Sequence, residues 1–172
     1  MNDEIIACIC EGSAEQAILE ILLEDNKLEF CKEQLLERKI LRCRSAKSFE
    51  NQYLSKGFSK KVKIYRILDS RKEKFKLSTL YAKKVEVINV VTAPEIEMLV
   101  ICKEGKFDDY KKGNIKKPSE YCKVKLGLGK VKNYQFVKNY FSNSDELCGA
   151  IKDYKQKSNI PKGEITLFDL LR

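Results

Sequence analysis

The fold is decided by the stretch Ile5-Ile6-Ala7-Cys8-Ile9-Cys10-Glu11-Gly12-Ser13-Ala14-Glu15, an apolar run that ends in Glu-Gly and a helix start. Three isoleucines in six residues predict a buried strand, with Cys8 and Cys10 on one face as small core residues. Ser13 is the expected N-cap of a helix over 13–25, whose apolar side chains fall on one stripe. A strand that turns directly into a helix predicts the first unit of an α/β fold.

Two later apolar runs repeat this arrangement. Residues 62–68 lead into Asp69-Ser70-Arg71, and residues 85–91 lead into Thr92-Ala93-Pro94-Glu95-Ile96-Glu97. Strands that alternate with helices predict a mostly parallel sheet flanked by helices. The other predicted elements are helices over 46–55, 94–102, 118–126, 131–141 and 144–157, a helical piece over 28–37, a short strand over 39–43 and a final helical turn over 166–172.

Length and composition indicate one compact domain in two parts. The chain has 172 residues, of which 43% are hydrophobic, and this is enough to bury a core. Residues 1–104 carry the strand–helix alternation and form the expected α/β core. Residues 105–172 are lysine-rich, aromatic-rich and punctuated by glycine, and we expect them to form a helical extension packed on that core.

The composition excludes several classes of protein. The chain has no histidine, which rules out a Ser-His or Cys-His nucleophile and disfavours zinc. Seven scattered cysteines without a CxxC pair, and no signal peptide, predict a reducing, cytoplasmic location. No apolar run has the length of a transmembrane helix, so we expect no membrane partner. No GxxxxGK[ST] loop is present, so the chain is not itself a P-loop ATPase.

The charge is strongly positive and unevenly distributed. The formal net charge is +9. Residues 103–139 carry 11 lysines against 4 acidic residues, whereas residues 11–37 carry 8 acidic residues against 2 lysines. This excess predicts a polyanionic partner, in the first place nucleic acid. The alternative is a lysine-rich surface that serves solubility.

Acidic residues follow each of the three apolar runs. Because the carboxyl ends of parallel strands meet at one edge of a sheet, we expect Glu11, Asp69 and Glu97 to converge there. Carboxylates suit Mg²⁺ or Mn²⁺, so these three are the predicted metal ligands. Each acid has an alternative reading, since acids in a first helical turn stabilise the helix dipole and an Asp after a strand forms Asx turns. The predicted supporting residues around the site are Glu15, Ser70 and Glu95.

The combination of motifs resembles a known family. Residues 1–104 resemble a Toprim domain, the metal-binding fold of topoisomerases, primases and OLD-type nucleases. The closer resemblance is to the RloB/AbiL branch of stand-alone Toprim-like proteins of bacterial defence loci. Their Glu-Gly-x-x-Glu pattern is similar to Glu11-Gly12-Ser13-Ala14-Glu15, their Asp-x-Asp to Asp69-Ser70-Arg71, and their Asn-Pro-x-x-Glu to Ala93-Pro94-Glu95-Ile96-Glu97.

The resemblance implies a Mg²⁺- or Mn²⁺-dependent nuclease of phage defence or a mobile element, working beside an ATPase partner. Glu11 would be the principal ligand or general base, Asp69 and Glu97 further ligands, and Arg71 the group that stabilises charge on the phosphate. Two residues depart from the pattern. Arg71 replaces the second Asp, and Ala93 replaces the Asn. We therefore expect one metal ion with several waters rather than two ions.

The basic region supplies the predicted nucleic-acid contacts. Lysines interleave with aromatic residues over 107–141, so lysines can contact phosphates while rings stack on bases. The alternative, which we favour for the rings, is that they form the core of the extension, because Tyr134, Val137, Tyr140 and Phe141 fall at core spacing. The predicted phosphate contacts are Lys111, Lys112, Lys116, Lys117, Lys123 and Lys125.

Two functions follow from the sequence. The first is a metal-dependent phosphodiesterase that acts on nucleic acid. The second is a catalytically degenerate Toprim-like module that binds nucleic acid or a partner protein, and Arg71 in place of an Asp favours it. A domain without a nucleic-acid role is the remaining alternative.

Overall fold

A parallel sheet forms the frame of the protein. The computed structural model describes residues 4–172. Its strands are β1 (Glu4–Cys10), β2 (Leu41–Arg42), β3 (Lys61–Leu68) and β4 (Val85–Val91). They lie in the order β2-β1-β3-β4, and every neighbouring pair is parallel. The predicted α/β fold with a parallel sheet is therefore confirmed.

The helices connect and flank these strands. Most lie where the apolar periodicity predicts them, but the helical piece predicted over 28–37 is replaced by two short 3₁₀ turns, Lys32–Gln34 and Leu36–Arg38. The prediction that Ser13 caps the first helix is wrong, because Gly12 occupies the N-cap position. The described helices are α1 (Ser13–Glu24), α2 (Ala46–Gln52), α3 (Thr79–Ala82), α4 (Glu95–Lys103), α5 (Phe107–Lys112), α6 (Pro118–Lys125), α7 (Tyr134–Tyr140) and α8 (Ser144–Lys157).

The two faces of the sheet are covered by two apolar cores. Side chains alternate along β1, so Ile6, Cys8 and Cys10 belong to one core while Ala7 and Ile9 belong to the other. The smaller core lies between the sheet and α2. The larger core lies against α1 and α4. Its members from the second part of the chain include Val137, Phe141, Leu147 and Ile151.

The C-terminal segment returns to the edge of the sheet. The amide of Val91 donates to the carbonyl of Ile165 at 2.9 Å, which adds one parallel bridge to β4. The amide of Glu29 donates to the carbonyl of Leu170, also at 2.9 Å. Residues 105–172 are thus joined to the α/β core by packing and by backbone hydrogen bonds.

Within residues 4–172, no helix has the length and apolar character needed to cross a membrane.

Candidate active site

The ends of three strands lie side by side. Glu11 follows β1, Asp69 follows β3 and Thr92 follows β4. Because Cys10 pairs with Ile67 in register and β3 is also paired with β4, these three residues share the carboxyl edge of the sheet. Glu11 is half-buried, Asp69 is exposed and Thr92 is buried.

Glu15 folds back over the turn that precedes its own helix. Its side chain is only 3% exposed. A Cβ added to Gly12 would lie 1.8 Å from Glu15 Oε2, so the carboxylate occupies the space that a larger residue at position 12 would fill. The Thr92 hydroxyl lies 3.5 Å from Glu15 Oε1 and 2.9 Å from the Leu68 carbonyl, to which it donates. Glu15 is therefore held beneath the strand ends.

Glu97 reaches the same edge from α4. Its residue exposure is 7%, and its Oε1 lies 3.4 Å from Lys132 Nζ. Its Oε2 has no hydrogen-bond partner among residues 4–172. A buried carboxylate oxygen without a partner costs free energy, and a bound cation or a hydrogen-bond donor removes that cost. Together Glu11, Glu15, Asp69 and Glu97 form what we call the acidic edge.

The carboxylates of the acidic edge perturb one another. Burial raises the pKa of Glu15, and the negative charges of Asp69 and Glu97 raise it further, against the opposite effect of Lys132. Burial also raises the pKa of Glu11, with smaller contributions from the negative charges of Glu73 and Asp69. Asp69 is therefore within electrostatic reach of both Glu11 and Glu15, and Glu97 is within electrostatic reach of Glu15. A cation bound among them would relieve both their repulsion and their desolvation.

Two cations of the acidic edge were not predicted. Arg66, in β3, is only 3% exposed, and its guanidinium lies 3.9 Å from Glu11 Oε1. Its Nη1 donates to Asn89 Oδ1 at 3.2 Å, and the ring of Phe75 lies 4.5 Å from its central carbon. The sequence does contain a signal for Arg66, because a charged residue in an apolar strand needs a buried partner.

Lys132 comes from the second part of the chain. The Ser13 hydroxyl donates to the carbonyl of Lys132 at 3.3 Å, which fixes the loop before α7 against the start of α1. This places the ammonium group of Lys132 3.4 Å from the carboxylate of Glu97. No local pattern announces this contact, because the partners are more than 30 residues apart in the sequence.

Arg71 does not face the acidic edge. Its Nε and Nη2 donate to the two oxygens of Glu164 at 2.8 and 2.7 Å, and its Nη1 donates to the carbonyl of Ala93 at 3.0 Å. Arg71 therefore joins the loop after β3 to the C-terminal segment. Ser70 is also engaged locally, since its hydroxyl accepts from the amide of Lys72 at 3.2 Å.

Glu95 lies on the other side of α4 from Glu97, as expected for helical positions two apart. It is 1% exposed, and neither carboxylate oxygen has a hydrogen-bond partner among residues 4–172. The charges that act on it belong to Lys155, Asp169 and Glu164 of the C-terminal part. Glu95 therefore faces that part of the chain rather than the acidic edge.

The acidic edge fits a metal ion that is held partly by the protein and partly by waters and substrate, rather than one enclosed by protein ligands alone. Within residues 4–172, no group of three His, Cys, Asp or Glu side chains is arranged to hold a metal. Mg²⁺ is commonly held by one or two carboxylates, with waters and substrate phosphates as the other ligands. The orphan oxygen of Glu97 and the mutually repelling carboxylates fit that kind of site.

The predicted phosphate-binding lysines are all exposed and lie on α5, on α6 and on the loop between them. Across the described residues 4–172, none of their ammonium groups lies within 4 Å of a carboxylate. The helix α6 packs on α4, where the thiol of Cys122 donates to the carbonyl of Glu97 at 3.7 Å. The lysine-bearing hairpin thus packs against the helix that carries Glu97. These lysines are Lys111, Lys112, Lys116, Lys117, Lys123 and Lys125.

The aromatic residues of this region pack inward, as we expected for the core of the extension. Phe107, Tyr121 and Phe141 are buried. The rings of Phe136 and Tyr140 stack on each other with centroids 5.1 Å apart.

Compared with known proteins, the chain matches no family model, and no curated protein or solved structure shows significant similarity to it. The assignment of function therefore depends on the residues and on the geometry of the acidic edge.

Proposed function

We propose that the protein is a phosphodiesterase that cleaves nucleic acid with Mg²⁺ or Mn²⁺. The observation that carries the proposal is the acidic edge, in which one oxygen of Glu97 has no partner among the described residues. The α5–α6 hairpin, whose predicted phosphate-binding lysines have no carboxylate partner within residues 4–172, packs on the same helix as Glu97. A substrate whose phosphates lie on the lysines would bring a phosphodiester toward the carboxylates. This arrangement supports a polyanionic substrate and a divalent cation in the same place.

One or two of the carboxylates Glu11, Asp69 and Glu97 would hold the metal, with waters and substrate phosphates as its other ligands and Glu15 beneath them. When bound, the ion would supply Lewis-acid polarisation of a phosphoryl oxygen. Glu11 would act either as the principal metal ligand or, with its raised pKa, as the general base that accepts a proton from the attacking water. Arg66, 3.9 Å from Glu11, and Lys132, 3.4 Å from Glu97, would partly balance the negative charge of the two carboxylates.

Arg71 is less suited to the phosphate role that the resemblance implies. Three of its five N–H groups already donate to Glu164 and to the carbonyl of Ala93. This observation favours a second candidate, a module that binds nucleic acid or a partner protein without cleaving it. The role in phage defence and the ATPase partner are proposals that depend on the resemblance alone.

A cleavage assay distinguishes the two candidates. Single- and double-stranded DNA and RNA are incubated with Mg²⁺ or Mn²⁺ and with wild type, Glu11→Ala or Asp69→Ala. We expect each substitution to reduce the cleavage rate by at least about 100-fold. The matched control is Asp25→Ala, which removes an exposed carboxylate from the C-terminal end of α1, away from the acidic edge, and should leave the rate unchanged.

Each outcome has a definite meaning. Cleavage that survives both substitutions would contradict a catalytic acidic edge. Salt-sensitive binding without cleavage would contradict the phosphodiesterase and favour the binding module. The absence of both binding and cleavage would contradict both candidates.

A further inference from the structure

The hairpin formed by α5 and α6 contains a pocket that the acidic edge does not use. It has a volume of about 390 Å³. Lys112 at the end of α5 and Lys125 at the end of α6 both line it, with Asn114 of the connecting loop between them in sequence. Two lysines 13 residues apart in the sequence are therefore brought to one cavity by the turn of the chain.

The chemistry of this pocket favours an anion. Neither lysine lies within 4 Å of a carboxylate in the described residues 4–172, and the Asn114 side chain makes no hydrogen bond there. The one acid that lines the pocket, Asp109, is paired with Lys106 at 3.2 Å. Two uncompensated ammonium groups and a free amide are donors suited to phosphate oxygens.

The pocket offers no platform for a base. The ring of Tyr121 lies at its floor but is 5% exposed, and it packs edge-on against Tyr110 with centroids 5.3 Å apart. The Tyr110 hydroxyl donates to the carbonyl of Lys116 at 2.6 Å. Single-stranded nucleic acid is bound by proteins largely through bases stacked on exposed rings, whereas a duplex presents mainly its phosphates.

We propose that this pocket, with Lys112, Asn114 and Lys125, binds a backbone phosphate of double-stranded nucleic acid. The inference rests on the nucleic-acid part of the proposed function but not on cleavage. The pocket floor at Tyr121 adjoins Cys122, whose thiol bonds to the carbonyl of Glu97, so a phosphate bound here would anchor the duplex beside the acidic edge.

Fluorescence anisotropy with a labelled 20-base-pair duplex and the matching single strand tests the proposal. The variant is Lys112→Ala/Lys125→Ala, and the control is Lys152→Ala/Lys162→Ala, which removes the same charge from exposed, unpaired lysines outside the hairpin. We expect the pocket variant to weaken duplex binding roughly 10-fold at 0.1 M salt and to reduce the slope of log K against log salt by about 1, the value for one phosphate contact. The control should change affinity less than about threefold.

The results separate this proposal from the proposed function. Equal losses in the two double variants, or no loss in the pocket variant, would overturn the phosphate pocket even if cleavage persists. Tighter binding of the single strand than of the duplex would overturn the duplex assignment. Restored affinity in Lys112→Arg/Lys125→Arg would support the pocket, and circular dichroism of all variants checks that they are folded. Loss of cleavage in Glu11→Ala with duplex binding intact would leave the pocket proposal standing.

Discussion

Gly12 is the residue on which the position of Glu15 depends. Its backbone is extended, with φ −90°, so an alanine there would meet no backbone strain. The added Cβ would instead lie 1.8 Å from Glu15 Oε2 and force the buried carboxylate to move. We predict that Gly12→Ala lowers the free energy of unfolding by about 1–3 kcal/mol and reduces cleavage as much as Glu15→Ala does. Urea unfolding and the nuclease assay measure the two effects.

A double-mutant cycle and a second glycine provide the controls for this prediction. In a Glu15→Ala background, Gly12→Ala should cost less than about 0.5 kcal/mol, because the clashing atom is gone. Gly149→Ala, in α8, meets no atom within 4 Å and should stabilise the protein by about 1 kcal/mol. Additive effects in the cycle would show that Glu15 does not occupy the space over Gly12.

At the residue scale, sequence reasoning finds what is local. Glu11 directly follows a predicted strand, and the structure places it at the end of β1. Arg66 was missed although it interrupts an apolar strand, since nothing in the sequence names the partner that compensates its charge. Lys132 was beyond prediction, because its position on Glu97 depends on a loop fixed by Ser13.

At the element scale, Arg71 and Glu164 join the loop after β3 to the C-terminal segment. The bidentate geometry, with distances of 2.8 and 2.7 Å, favours a measurable coupling although Arg71 is half-exposed. We predict a coupling free energy of about 1 kcal/mol between Arg71→Ala and Glu164→Ala, obtained from urea unfolding of both single variants and the double variant. The exposed helix pair Lys157–Asp153 is the matched control and should couple by no more than about 0.5 kcal/mol. Equal coupling free energies in the two pairs would show that the Arg71–Glu164 pair stabilises the protein no more than an ordinary exposed ion pair.

The elements that the sequence predicted well are those with a clear apolar period. The strands over 4–10, 62–68 and 85–91 are short apolar runs with polar ends, and the structure has β1, β3 and β4 there. The helix α5 was missed because Phe107-Asp108-Asp109-Tyr110-Lys111-Lys112 presents too few apolar residues for a stripe. The helical piece over 28–37 is wrong because Leu28 and Leu35 form backbone bridges with Leu171 and Ile6, and Cys31 and Leu35 are extended.

At the scale of the whole molecule, residues 105–172 and the α/β part of the chain both contribute side chains to the larger apolar core. The sequence predicted that residues 105–172 pack on the rest, since their rings fall at core spacing. It did not predict which side chains of α4 would face them. The helical positions of Glu95 and Glu97 decide which surroundings each one faces, because side chains two residues apart on α4 point in different directions. One belongs to the acidic edge, and the other is enclosed by the C-terminal part.

That enclosure predicts how the stability of the whole protein depends on pH. Burial raises the pKa of Glu95 from 4.5 to about 8, and the Leu167 backbone and the charge of Lys155 offset only part of the effect. The folded protein therefore keeps a proton that the unfolded chain releases, so this group favours folding below about pH 4.5 and loses that contribution as pH rises toward 8.

We predict that Glu95→Gln, which is neutral at every pH, flattens the fall in unfolding free energy between pH 5 and pH 8. Urea unfolding at four pH values within this window measures the slope for wild type, for Glu95→Gln and for the exposed control Glu120→Gln, whose slope should match wild type. Some slope should remain in Glu95→Gln, because burial raises the pKa values of Glu11 and Glu15 as well. Parallel curves for wild type and Glu95→Gln would show that Glu95 is ionised in the folded protein at neutral pH. In that case, the positive charge of Lys155 would have to compensate it within the C-terminal part.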